Sequence, residues 1–97
     1  MLKPLNPLLM SELRLAIMSI LTYVEEAGFL YIKEQTGATA GNLSVQIDKL
    51  QTAGYIEVEK GFAGKRTRTV CRVTAVGREA FESHFRILSS YFSPPEE

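Results

Sequence analysis

Leu13, Ala16, Ile17, Ile20, Leu21 and Val24 fall at i, i+3, i+4, i+7, i+8 and i+11, one apolar stripe at the helical period. The spacing predicts a helix capped by Ser11 and running to about Val24, with that stripe turned to a core. Leu15 and Met18 fall off the stripe and read either as surface residues or as contacts to a partner chain. Glu25-Glu26-Ala27-Gly28 interrupts the pattern. A short helix is predicted over Phe29 to Thr36, with Leu30 and Ile32 as its apolar contacts and Gly37 as the left-handed residue that ends it. Thr39 caps the next helix, Ala40 to Ala53, and Gly54 stops it; Leu43, Ile47 and Leu50 form its inward stripe. The period then changes to two. Ile56 and Val58 alternate with Glu57 and Glu59, and Val70 and Val73, with Cys71 as a candidate, mark a return strand. The hairpin reads as Tyr55 to Lys60, a tip from Gly61 to Arg68, and Thr69 to Val73. Thr74 caps a last helix reaching about Phe92, with Phe81, Phe85, Leu88 and Phe92 as one stripe and Ala80, Ile87 and Tyr91 as a second.

In order, the elements predict an α+β, mostly α, fold: a helix-turn-helix followed by a two-stranded β-wing and a C-terminal helix. A single domain is expected over residues 1–97, with an arm at 1–10, a core at 11–92 and a tail at 93–97 in which Pro94-Pro95 ends the chain. The arm, MLKPLNPLLM, carries two prolines that forbid a regular helix and leucines that need covering. Two apolar stripes on the last helix plus this arm exceed what so small a core covers. The simplest expectation is a homodimer burying the terminal segments, with Leu5, Leu8, Leu9, Leu15, Met18, Ile87, Leu88 and Tyr91 at the interface. The alternative is that one stripe closes the monomer core and the other stays partly exposed.

Composition narrows the functional classes. Ninety-seven residues with 45% hydrophobic content build one small core and leave little for a large ligand cavity. Net charge is zero, but its distribution is uneven: Lys60, Lys65, Arg66, Arg68 and Arg72 lie in a run containing no acid. The one cysteine excludes an intrachain disulfide and fits a reducing cytoplasm. On the strand Cys71 reads as a small buried hydrophobe, with a redox role as the alternative given three nearby arginines. Leu15 to Val24 is far short of the ~20 apolar residues that span a bilayer, and Glu12 and Arg14 stand where a signal peptide would turn apolar. A cytoplasmic location with no membrane association is expected. His84 is the only histidine, so no Cys/His metal cluster forms; no metal and no cofactor is expected. No catalytic fingerprint occurs, and the chain is not expected to be an enzyme.

Two constellations carry candidate chemistry. With its apolar stripe inward, the helix from Ala40 presents Gly41, Asn42, Ser44, Val45, Gln46, Asp48, Lys49 and Thr52 outward, and Thr39 stands at its cap; of these Thr39, Asn42, Ser44, Val45, Gln46 and Lys49 are the candidate contacts. Small side chains let a helix start enter a major groove, Asn and Gln can pair with adenine, and Val45 can touch a thymine methyl. Thr39 and the free N–H groups of the helix start can hold a phosphate. The plain alternative is an ordinary polar helix face. At the hairpin tip Gly61 and Gly64 permit turn geometry, and Lys65, Arg66 and Arg68 project as candidate phosphate contacts. Alternatives there are a solvated basic loop or an acidic protein partner. Phe62 is expected to tuck under the hairpin.

These residues resemble a known family. Leu13-Arg14-Leu15-Ala16-Ile17-Met18 looks like the first-helix signature of ArsR/MarR-type winged-helix regulators. Gly41-Asn42-Leu43-Ser44, Ile47-Asp48-Lys49-Leu50 and Ala53-Gly54-Tyr55-Ile56 look like their recognition helix and its exit. Val73-Thr74 with Gly77-Arg78 looks like the strand-to-helix junction that closes the wing. The resemblance covers about residues 11–92. It implies a homodimer on double-stranded DNA, with base contact from Asn42, Ser44, Val45, Gln46 and Lys49 and backbone contact from Thr39, Lys65, Arg66 and Arg68. The chain lacks the paired cysteines of metal-sensing members, which speaks against that signalling mode, and it lacks the longer helices that frame a MarR ligand pocket, which leaves a small-molecule effector open but unsupported. A dimeric transcriptional regulator, a repressor rather than an activator, is expected; the alternative is a winged-helix module that binds protein.

Overall fold

The computed structural model describes residues 2–92; the tail at 93–97 lies outside them. After a 3-10 turn at Pro7–Leu9, the chain forms α1 (Glu12–Tyr23), β1 (Ala27–Gly28), α2 (Phe29–Thr36), α3 (Ala40–Thr52), β2 (Ile56–Ala63), β3 (Arg66–Val73) and α4 (Ala75–Ser90). The fold is the α+β, mostly helical winged helix expected from the sequence. Each long helix starts at the foreseen cap: the hydroxyls of Ser11, Thr39 and Thr74 accept the N–H of Arg14, Asn42 and Gly77. Such caps are worth ~1 kcal/mol each. Gly37, with φ 69°, ends α2 in the left-handed conformation, and its N–H bonds the Lys33 carbonyl.

The core gathers on α1, which touches α2, α3, α4, β3 and the 3-10 turn. A helix surrounded in this way buries more than one stripe. Met18 is therefore buried beside Ile17 and Leu21 although it lies off their face, and Leu9 of the arm is buried with them. Leu43 and Leu50 of α3, Ile32 of α2, Ile56 of β2 and Cys71 of β3 complete this core. Burial pushes the Cys71 thiol up to about 11, so it stays protonated and acts as a small strand hydrophobe.

The sheet, the hairpin and α2 depart from the sequence expectations. The sheet has three strands in the order β1-β3-β2, because Ala27 and Gly28 pair with Cys71 and Val70. The hairpin strands run further than expected. Pairing continues through Phe62↔Thr67 and Ala63↔Arg66, so only Gly64 and Lys65 turn the chain. Gly64, at φ 68°, supplies the positive φ that a two-residue turn of this kind requires. Phe62 is 78% exposed rather than tucked. On α2 it is Phe29 that packs on the core, while Leu30 stays exposed.

The α4 helix is turned about one position from the expected stripe. Gly77 and His84 are buried and Phe81 packs on the core, whereas Phe85 and Phe92 are exposed. The cause lies at both ends of the helix. Gly77 sits against the Tyr55 backbone, and Thr74 binds the end of α3 through Thr74 N–H to the Tyr55 carbonyl at 3.0 Å and Thr74 Oγ1–H to the Gly54 carbonyl at 2.7 Å. Further along, His84 Nδ1 accepts the Asn6 N–H at 3.2 Å, and Asn6 Nδ2 donates to the Tyr55 hydroxyl at 2.9 Å. Tyr91 finally donates its hydroxyl to the Lys3 carbonyl. The arm is thus laid along α4.

Burial holds the His84 pKa below its ordinary 6.5. An unfolded chain would take up the proton more readily, so this group's contribution is intact above pH ~6.5 and is lost as pH falls from there toward the folded pKa. Protonation would also remove the acceptor that Asn6 uses. The thermal midpoint is expected to drop between pH 7.5 and 5.5, and to drop less in His84→Gln. An equal drop in both would show that His84 does not carry the acid sensitivity.

Candidate nucleic-acid interface

The α3 helix is built to be half-covered. Leu43, Ile47 and Leu50 are buried against α1 and β2, which turns Asn42, Ser44, Val45, Asp48 and Lys49 to solvent. Thr39 is exposed at its cap, and Gln46 is half-buried. The first turn carries no charge, so its free N–H groups stand unopposed as anion donors. Asp48 is the exception on this face, one position before Lys49.

Two of the outward side chains are wired together. Gln46 Nε2 donates to Asn42 Oδ1 at 3.0 Å, and Gln46 Oε1 accepts from Arg14 Nη1 at 2.5 Å. Arg14 also donates through Nε to the Leu8 carbonyl at 2.6 Å. From the sequence, Arg14 has no expected role at the site. Its position beside the α1 stripe gives no sign of what it reaches, since the partners are 6 and 32 residues away.

On the hairpin, strand alternation divides the polar groups. Ile56, Val58, Cys71 and Val73 share the core side, and the register places Lys60, Phe62, Thr67 and Thr69 on that side too. Arg66, Arg68 and Arg72 take the opposite face, and Lys65 stands at the turn. Lys65, Arg66 and Arg68 are all exposed. The ion pairs found among the described residues are both made by Arg72, to Glu26 at 3.1 Å and to Glu59 at 2.9 Å. These carboxylates raise the Arg72 pKa through hydrogen bonding. Arg72 is therefore occupied in joining the turn before β1 to β2, while the three cations nearer the tip are free to meet an anion.

Between the two constellations runs an open cleft of about 600 Å³, lined by Ser44, Ile47, Asp48 and Gln51 of α3, Val58, Lys60 and Thr69 of the hairpin, and Phe29. Lys60 belongs to the acid-free basic run, and the register brings it to the α3 side. No cluster of three or more metal-ligating side chains occurs among the described residues, and none of their helices is long and apolar enough to cross a membrane.

The structure divides the residues expected at a dimer interface. Leu9 and Met18 are wholly buried within the chain, so they are core and offer nothing to a partner. Leu8 and Leu15 pack partly on the same core. Leu5, Ile87 and Leu88 are half-exposed and Tyr91 is exposed. The apolar side chains left bare near them are Leu2, Met10, Phe85 and Phe92.

Residues 13–92 match the family model described as a winged helix DNA-binding domain. A transcriptional regulator homologue from Pyrococcus horikoshii superposes with a TM-score of 0.82 at 30% identity, over 88% of this chain and 84% of that one. An uncharacterised protein of Methanocaldococcus jannaschii is 34% identical over 74 residues, 76% of this chain and 80% of its own. MarR from E. coli shares the fold at a TM-score of 0.74 and 16% identity, over 88% of this chain but 62% of MarR.

Proposed function

Because the chain belongs to the winged helix DNA-binding domain family, we propose that it is a dimeric, sequence-reading transcriptional repressor. The observation that carries this is the pairing of two surfaces on one fold. A polar, acid-free helix start at Thr39 to Gln46 stands beside a hairpin whose Lys65, Arg66 and Arg68 are exposed and unpaired among the described residues. In this reading α3 enters the major groove, where Asn42, Ser44, Val45, Gln46 and Lys49 meet base edges, and Thr39 with the wing cations holds phosphates. The division of the wing cations between the turn and one strand face suits a tip laid across a phosphate backbone.

The dimer is part of the same reading. Phe85, Tyr91 and Phe92 of the α4 end and Leu2 and Met10 of the arm leave apolar surface bare, and the Tyr91 hydroxyl bond to Lys3 joins these two segments. A second copy bringing the same segments would cover them by two-fold symmetry. Two-fold symmetry then sets two half-sites about one helical turn (~34 Å) apart. A dimer seated there would block polymerase, which makes occlusion the mode of repression and the cytoplasm its place. Asn42→Ala is expected to relax preference at one base position per half-site, at a cost of ~1–3 kcal/mol there. Selection of bound sequences from a randomised duplex pool checks this, and an unchanged base preference would remove Asn42 from the reading set.

A further inference from the structure

Arginine carries donors only, so the bond from Arg14 Nη1 settles the Gln46 amide with Oε1 turned toward α1. Gln46 Nε2 then points along the helix to Asn42, and a donor at that place settles Asn42 with Oδ1 toward Gln46 and Nδ2 on the other side of the amide. Arg14 is itself fixed at its other end by the Leu8 carbonyl. A relay of hydrogen bonds thus runs from the arm through α1 to the exposed face of α3.

We propose that this relay makes the α3 face a hydrogen-bond donor and selects guanine, with Arg14 as the positioning residue that sets the selection. The inference rests on the reading that α3 enters a major groove. An unconstrained Asn or Gln offers one donor and one acceptor, which matches the N6 donor and N7 acceptor of adenine. Here each amide oxygen is turned to a protein donor. Both Asn42 Nδ2 hydrogens and one Gln46 Nε2 hydrogen are left without a protein acceptor among the described residues. Guanine presents two acceptors, N7 and O6, to such a face, whereas adenine would set its N6–H against Asn42 Nδ2–H. The charge on Arg14 acts in the same direction, because a donor bonded to the amide oxygen polarises the amide and strengthens its N–H groups.

The test is selection from a randomised duplex pool with the full chain and three variants, Asn42→Ala, Arg14→Met and Gln46→Glu. Guanine is expected at the position whose preference Asn42→Ala erases, favoured over adenine there by roughly tenfold. Arg14→Met releases the amides and should admit adenine at that position, with the salt dependence on a non-specific duplex unchanged. Gln46→Glu keeps an acceptor for Arg14 but offers Asn42 only an acceptor. Asn42 must then turn Oδ1 outward, and the preference should move to a base that donates, cytosine through N4 or adenine through N6. A purely structural role would lower binding to all sequences alike and leave the preferred base in place. Adenine at the Asn42-dependent position of the unsubstituted protein, or guanine retained by both Arg14→Met and Gln46→Glu, would overturn the proposal while leaving sequence reading intact. If the unsubstituted protein enriches no sequence, the DNA-reading function fails and the proposal with it.

Discussion

Gly77→Ala is expected to destabilise the fold by ~3 kcal/mol or more, enough to threaten folding in a domain with a total stability of ~5–15 kcal/mol. A Cβ at this position would lie 2.0 Å from the Tyr55 carbonyl oxygen and 2.8 Å from its Cα. Both are backbone atoms, so no rotamer change relieves the clash. The same carbonyl accepts the Thr74 N–H, which fixes it from the other side. Helix propensity alone would give the opposite sign, since alanine is favoured over glycine by ~1 kcal/mol inside a helix. Gly41 is the control. It lies in α3, is exposed, and has nothing within 4 Å of its would-be Cβ, so Gly41→Ala should stabilise by up to ~1 kcal/mol. Urea midpoints of the two variants check both signs. A Gly77→Ala midpoint near that of the unsubstituted protein would mean that α4 does not rest on the end of α3.

Removing Lys65, Arg66 and Arg68 together is expected to have the largest effect on DNA binding. Each neutralised phosphate contributes about 0.9 to the slope of log K against log salt. If all three cations meet phosphates, a monomer's slope should become shallower by about 3, and a dimer's, with two wings, by about 5. Affinity at 0.1 M salt should fall by about a hundredfold or more, while the preferred sequence survives, because the proposed base contacts lie on α3. Arg72→Ala is the comparison: Glu26 and Glu59 already hold that guanidinium, so its loss should leave the slope unchanged. An equal slope change for Arg72→Ala and for the triple variant would show that the wing acts through general charge rather than by placed contacts.

Much of the fold was legible because its signals are local. Ser11, Thr39 and Thr74 each precede a periodic apolar stretch, and Gly37 follows one, so the helix starts and the end of α2 could be read from single residues. The inward face of α3 was equally plain, with Leu43, Ile47 and Leu50 on one stripe. What escaped was set by tertiary contact. Ala27-Gly28 is too short to show alternation and becomes a strand only because β3 lies beside it. The hairpin expected from the sequence is too short because Gly61, Phe62, Ala63 and Gly64 look like a loop, yet of these only Gly64 needs a positive φ. The expected α4 face is off by one position because large aromatics outweigh a glycine and a histidine in the pattern, whereas Gly77 and His84 are the residues the neighbouring backbone selects. In the candidate site, the exposure of Asn42, Ser44, Val45 and Lys49 followed from the period. The orientation of the Asn42 and Gln46 amides did not, since it depends on Arg14 from another helix.

In the proposed function this domain reads duplex sequence as a dimer. The most direct measurement is to incubate the protein with a randomised duplex pool at moderate salt and sequence what it retains. An enriched inverted repeat, with half-sites about one helical turn (~34 Å) apart, is the expected result. Retention without any enriched sequence would contradict the claim and leave a non-specific binder resting on the wing, and no retention even at low salt would make this winged helix a protein-binding module instead.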